Sequence, residues 1–285
     1  MSALIEARGL SKSYGSTRAV DDVSFNVERG RIVGLIGPNG AGKTTLLNAV
    51  LGLTSFSGDL TVLGLDPFHQ RKALMQRIAY VSDVAVLPKW ITAARLFDFV
   101  ATVHSGFDRV QAEKLLADTK VKPTAKVGSL SKGMIVQLHL AIIMSINAEL
   151  LILDEPTLGL DILFRKDFYS RLLGDYYDGE KTIIVTTHQV DELEHILTDV
   201  MFIDDGRIAL DATIDSIDSR YVELMTSGEF ADAANKLGPV SVRKGFGKQI
   251  MLFDGVERDQ LREFGETRKP SISDLFVAIL RGDTA

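Results

Sequence analysis

One stretch of nine residues constrains this chain more than anything else in it. Gly37-Pro38-Asn39-Gly40-Ala41-Gly42-Lys43-Thr44-Thr45 fits the spacing G-x-x-x-x-G-K-[ST]. The apolar run 32–36 before it reads as a strand, and 43–51 after it has helical character. That order matters physically. Glycines let backbone N–H groups turn toward bound phosphates, and the helix start presents its positive dipole end to them. Lys43 is placed to reach the β- and γ-phosphates, and the Thr44 hydroxyl to take a Mg2+ coordination position. With glycine near ~7% of residues, this spacing arises by chance in about one of a hundred chains of 285 residues. The stretch implies a bound nucleoside triphosphate.

A pair of acids supports the same chemistry. Leu150, Leu151, Ile152 and Leu153 form an apolar run that ends in Asp154 and Glu155. An unbroken apolar run reads as a strand buried on both faces. In an open α/β sheet, ligands bind beyond the carboxyl ends of such strands. Successive strand residues point to opposite faces, so the two acids need not share a role. Asp154 suits the Mg2+ shell, and Glu155 suits polarising an attacking water.

Composition narrows the remaining classes. Hydrophobic residues make up 46% and charged residues 25%, which suits a globular chain with a full core. The chain has no cysteine, so disulfides, thiolate nucleophiles and Cys-ligated metal centres are excluded. A formal net charge of −6 gives no basic footprint for wrapping nucleic acid. The most apolar stretch, 138–153, is broken by Ser145, Asn147 and Glu149, short of the ~20 clean residues a spanning helix needs. Residues 1–8 lack the basic start and apolar run of a signal peptide.

Along the chain, strands and helices alternate. Residues 24–27 and 32–36 read as strands, with Glu28, Arg29 and Gly30 as a hairpin turn between them. Residues 78–82 read as another strand. From about Pro88 to Ala148 the periodicity turns helical, as in Ala93, Leu96, Phe97 and Val100. Strands return at 150–153 and 183–186, with a helix over 163–173 between them. This pattern predicts a mostly parallel sheet covered by helices, with an inserted helical subdomain. Residues 211–219 read as a polar link. Beyond it, strands at 221–225, 240–243 and 249–253 and helices at 230–237, 257–264 and 273–280 make a small α/β appendage.

Four further segments point one way. They are Tyr14-Gly15, then Leu130-Ser131-Lys132-Gly133-Met134, then Leu158-Gly159-Leu160-Asp161, and His188 after Ile183, Ile184, Val185, Thr186 and Thr187. In this order with the first two motifs, residues 3–212 resemble an ABC-transporter ATP-binding subunit, of the kind serving ABC-2-type multidrug and antibiotic exporters. The resemblance implies an α/β fold: a P-loop NTPase core, an antiparallel β edge subdomain and an inserted helical subdomain, to which the pattern beyond it adds the small C-terminal α/β appendage. Together they set the ATP-binding domain at 1–215, its helical part at about 87–148, and the extension at 216–285. It also implies roles. Tyr14 would stack on the adenine, and Leu130–Met134 would be the signature loop. Ser131 and Gly133 would meet the phosphate of an ATP held by the opposite subunit, so that two chains sandwich two nucleotides. Asp161 would close the D-loop, and His188 would touch the γ-phosphate.

The sequence departs from the family twice. Signature loops usually read L-S-G-G-Q, and here Lys132 and Met134 replace a glycine and the glutamine. After Ile78, Ala79, Tyr80, Val81 and Ser82 the family places a glutamine near Mg2+ and the attacking water, and this chain has Asp83. Asp83 is therefore an expected Mg2+ ligand and catalytic neighbour, shorter than glutamine and charged.

The function these readings imply is ATP hydrolysis coupled to transmembrane transport, with ATP and Mg2+ bound. Separate integral membrane subunits would supply the pathway, and residues 84–100, including Trp90, would cup one of their helices. The ATPase would work as a homodimer or pseudo-dimer at the cytoplasmic face of the plasma (inner) membrane, held there by its partner. Pro270 to Phe276 resembles the tail of exporter ATPases, so export is favoured over import. The competing class is a soluble ABC-type ATPase acting on nucleic acid or ribosomes. Such proteins carry coiled-coil inserts, tandem ATPase units or basic patches, which this sequence lacks, so no nucleic-acid partner is expected.

Overall fold

The computed structural model describes residues 3–82, 87–158, 162–188, 190–245 and 247–281. In chain order the first part runs β1 (Ile5–Tyr14), β2 (Thr17–Val27), β3 (Ile32–Ile36), α1 (Lys43–Val50), β4 (Ser57–Val62), α2 (Arg71–Leu74) and β5 (Ile78–Val81). The helical part follows as α3 (Ala93–Val103), α4 (Arg109–Ala117) and α5 (Lys132–Ile143). The chain then returns through β6 (Leu150–Asp154), α6 (Ile162–Arg171), β7 (Thr182–Thr187), β8 (Asp199–Asp204) and β9 (Arg207–Thr213). Last come α7 (Ile214–Arg220), β10 (Tyr221–Thr226), α8 (Gly228–Asn235), β11 (Ser241–Gly245), β12 (Lys248–Asp254), α9 (Arg258–Leu261), β13 (Glu266–Arg268) and α10 (Ile272–Arg281).

Among the described residues three sheets form. The central sheet has the order β5-β6-β7-β3-β8-β9 and is parallel except for β9. Its inner strands are apolar on both faces, and alternate residues join different cores. Ile36, Leu153, Val185 and Phe202 pack with α5, α6 and α10. Val33, Leu35, Ile152 and Ile184 pack with Leu46 and Leu47 of α1 and with the antiparallel sheet β2-β1-β4. A sheet covered on both sides needs that two-faced burial, which explains its continuous apolar runs. The helical part has a core of its own around Phe97, Leu116, Val121 and Leu138.

The expected hairpin through Glu28–Gly30 does not form. β2 pairs with β1 in the antiparallel sheet, whereas β3 pairs with β7 and β8 in the central one. The signal was already present in 32–36: every residue of β3 is buried, which a half-exposed hairpin strand would not be. Gly30 instead crosses between sheets, its N–H donating to the Thr182 hydroxyl at 3.0 Å. The polar link expected at 211–219 is the end of β9 followed by α7. Thr213 caps α7 by accepting from Ser216 N–H at 3.1 Å, and Ile217 is its buried residue, so a surface helix looked like a linker.

The C-terminal residues build the antiparallel sheet β11-β12-β10-β13. One face covers Val222, Leu224, Met251 and Phe253 with Ala231, Ala234 and Leu261. The other holds the buried Glu223 carboxylate, which takes hydrogen bonds from Arg243 at 2.9 Å and from Arg268. Helix α10 joins this sheet to the central one. Phe276 meets the fully buried Phe202 edge to face at 5.1 Å, and Ile272 N–H donates to Glu194 at 3.2 Å.

Candidate active site at the glycine-rich loop

The loop between β3 and α1 places the motif residues at the carboxyl edge of the central sheet. Gly42 occupies the position before α1 with φ 108° and ψ −1°, a left-handed conformation that disfavours side chains. A Cβ there would also lie 2.3 Å from the Ala19 carbonyl oxygen, so β2 closes one wall of the loop. No side chain caps α1, and its first N–H groups face the loop. A cavity of about 200 Å³ opens at this point, lined by Ala19, Asn39, Gly40, Gly42, Lys43, Thr44 and Thr45 together with Asp154 and Glu155. The nucleotide-loop residues and the strand-end acids are thus one site.

The charges are arranged around Lys43. Its ammonium is buried and donates to the carbonyls of Gly37 at 2.7 Å and Pro38 at 3.2 Å. Burial pulls its pKa down, and the nearby Glu155 and Asp154 carboxylates oppose that pull. Asp154 is buried, with one carboxylate oxygen accepting from the Thr44 hydroxyl at 3.1 Å and the other from the Thr186 hydroxyl at 2.6 Å. Glu155 lies 3.9 Å from Lys43 Nζ and 2.9 Å from His188 Nδ1.

The two acids share a cavity for a reason that strand alternation alone does not supply. Glu155 follows the last residue of β6 with φ 48°, so the chain turns before its side chain is set. Its N–H donates to Thr186 Oγ1 at 2.9 Å. The kink brings the Glu155 carboxylate to the same side as Lys43 and His188. Thr186 and Ala19 escaped the sequence reading, although two threonines closing an apolar strand just before His188 carried a hint.

Other expected site residues stand apart from this cavity. Tyr14 ends β1 about half exposed, with Lys12 Nζ 5.0 Å from its ring centroid, and does not line the loop. Ser131 is exposed at the start of α5, where it accepts from Met134 N–H at 3.3 Å. Gly133 is packed beneath Phe164, whose ring would lie 2.9 Å from an added Cβ. Neither lines the loop cavity. Asp83 and Asp161 lie outside the described residues.

A divalent cation would find oxygen donors here. The Thr44 hydroxyl and the Asp154 carboxylate are hard ligands of the type Mg2+ prefers. Among the described residues no cluster of three His, Asp or Glu forms a complete metal cage.

Comparison with known proteins gives the family. Residues 20–158 match the ABC transporter family. The chain is 36% identical over 229 residues to the Nod factor export ATP-binding protein I of Cupriavidus pinatubonensis, covering 77% of this chain and 70% of that one. It is 31% identical over 235 residues to the bacitracin transport ATP-binding protein BcrA of Bacillus licheniformis, covering 80% and 77%. A solved ATP-binding subunit of an ABC transporter superposes with a TM-score of 0.68 at 27% identity, over 75% of this chain and 91% of that one.

Proposed function

Because the chain belongs to the ATP-binding subunits of ABC transporters, ATPases that power transport, we propose that it drives an exporter as an ATP-sandwiched dimer on separate membrane subunits. The observation that carries the dimer is a separation. Ser131 and Gly133 stand at the start of α5, away from the cavity of Lys43 and Glu155. The family resemblance has one nucleotide meet both regions, and a second chain would bring the other region to it. Export is favoured by the likeness to a protein named for Nod factor export. Among the described residues no helix is long and apolar enough to cross a membrane, so membrane subunits would supply the pathway.

In this reading the loop N–H groups and Lys43 bind the triphosphate. Thr44 and Asp154 would hold Mg2+, which when bound neutralises charge on the phosphates. Glu155 takes a proton from the attacking water. His188 Nδ1 lies 2.9 Å from the Glu155 carboxylate, a contact that orients the acid, and the imidazole would meet the γ-phosphate. Tyr14 offers an exposed aromatic face for the adenine ring. The protein would sit at the cytoplasmic face of the membrane through its partner, with no nucleic acid bound.

Glu155→Gln tests the proposal. It should retain ATP binding and slow hydrolysis by about 10²–10⁴-fold, the usual worth of a general base. With the sandwich no longer resolved by hydrolysis, ATP should convert the variant to a dimer in light scattering. The same variant should copurify with a polytopic membrane protein. A monomer under ATP, or recovery only of ribosomes or nucleic acid, would refute the reading.

A further inference from the structure

We propose that Thr186 is a positioning residue for ATP hydrolysis, one hydroxyl that fixes both strand-end acids at once. The inference rests on the roles given above to Asp154 and Glu155. Strands β6 and β7 are parallel with Asp154 opposite Thr186, so the two side chains leave the sheet side by side. Thr186 is fully buried. A hydroxyl has one proton and two lone pairs, and a backbone N–H can only donate. The bond from Glu155 N–H at 2.9 Å therefore uses an acceptor site on Oγ1, and the single proton goes to Asp154 at 2.6 Å.

Each bond sets a different part of the site. Asp154 is gripped by a hydroxyl on either carboxylate oxygen, Thr44 from α1 and Thr186 from β7, which fixes the plane of the carboxylate beside the loop. Glu155 is held in a left-handed backbone conformation that non-glycine residues avoid. That conformation aims its carboxylate at His188, two residues beyond Thr186 on the same strand end. A strand-like Glu155 would turn to the opposite face of the sheet.

The same strand supplies an internal comparison. Thr182, also fully buried, accepts from Gly30 N–H at 3.0 Å and contacts the Glu28 carbonyl at 3.4 Å, away from the site. Its hydroxyl satisfies the backbone of the sheet crossing and touches neither acid.

The experiment uses the full chain as wild type, Thr186→Val, Thr186→Ser, Thr182→Val and Glu155→Gln. Steady-state ATPase rates are read together with ATP-analogue affinity in EDTA and the Mg2+ concentration that half-saturates the ATP-induced thermal shift. Thr186→Val should lower kcat by about 10–100-fold and raise the Mg2+ half-point by about tenfold, the usual cost of removing a residue that orients a metal ligand. KM for ATP and affinity in EDTA should stay near wild type, because the loop is untouched. Thr186→Ser keeps the hydroxyl and should recover both losses. Thr182→Val should melt earlier with wild-type kcat and Mg2+ dependence. Wild-type kcat and Mg2+ dependence in Thr186→Val would overturn the proposal, as would a Thr186→Ser variant no better than valine. Normal turnover in Glu155→Gln would remove that acid from its role, and the Mg2+ arm, which reports on Asp154, would still decide for or against Thr186.

Discussion

Replacing Lys43 by methionine should move stability and nucleotide affinity in opposite directions, and the structure sets the size of each. Lys43 is 6% exposed, and its pKa is lowered chiefly by burial, so holding it charged works against folding. Methionine has similar length and no charge. It gives up bonds to the Gly37 and Pro38 carbonyls, each worth about 1 kcal/mol, and water in the open cavity replaces part of that. Removing a buried charge returns several kcal/mol of desolvation cost, less its attraction to Glu155 and Asp154. The unliganded variant should therefore be as stable as wild type or about 1 kcal/mol more stable. Nucleotide binding should respond the other way. ATP at a hundred times Kd stabilises wild type by about 2.7 kcal/mol, or about 5 °C in a chain of this size. A hundredfold loss of affinity at the same ATP concentration leaves about 0.4 kcal/mol, which moves the melting point by under about 1 °C. Differential scanning fluorimetry in EDTA, with and without ATP, separates the lysine from any metal. The pH dependence adds a sign. Below the unfolded value of 10.5, the folded state releases the Lys43 proton first, so wild-type stability should gain on the variant as pH rises. A variant that melts several degrees below wild type without ATP, or that keeps the full ATP-induced shift, would refute the reasoning.

His188→Ala should preserve the ATP-induced thermal shift and lower turnover by about a hundredfold, since the lost bond orients Glu155 and does not hold the phosphates; equal loss of binding in a nucleotide titration would contradict this. Glu149 offers an acid-side measurement. Hydrogen bonds from Arg77, then Arg29, pull its pKa from 4.5 to about 2, so its contribution is present above 4.5 and lost as pH falls toward 2. With 38% of the side chain exposed, screening reduces that contribution to about 1 kcal/mol, and urea melts of Glu149→Gln should lack this acid-limb loss.

The central architecture was legible because its strands are short, apolar on both faces and followed by helices. Residues 32–36, 150–153 and 183–186 were readable for that reason, and the structure extends the last two by a residue at one or both ends. The antiparallel sheet was harder to see. β1 carries Glu6, Arg8, Lys12 and Ser13 among its buried residues, and register shifts along its pairing with β2 break the period-2 signal. α7 was missed because Ile217 is its buried residue. The expected helix at 257–264 shortens to Arg258–Leu261, since Phe264 turns back to let its carbonyl accept from the Thr226 hydroxyl. In each case a tertiary contact outweighed a weak local pattern.

The candidate site divides along the same line. Gly37 to Thr45, Asp154, Glu155 and His188, which the fold brings together, could be picked out from the chain because residue type and sequence neighbours mark them as candidates. Thr186 could not, because its contact depends on pairing: it reaches Asp154 by lying opposite it, in a strand that starts 28 residues after Asp154. The kink at Glu155 belongs to the same class. Strand alternation would have sent Asp154 and Glu155 to opposite faces, and the left-handed turn cancels that alternation at one peptide. A backbone conformation of this kind costs about 1–2 kcal/mol at a non-glycine residue, and a hydrogen bond from its N–H to a buried hydroxyl offsets about 1 kcal/mol. The parallel register of β6 and β7 therefore does more than bury leucines and valines. It supplies the acceptor that lets two consecutive acids share one cavity, and a variant of this chain that keeps both acids but loses the Thr186 hydroxyl should bind ATP and hydrolyse it poorly.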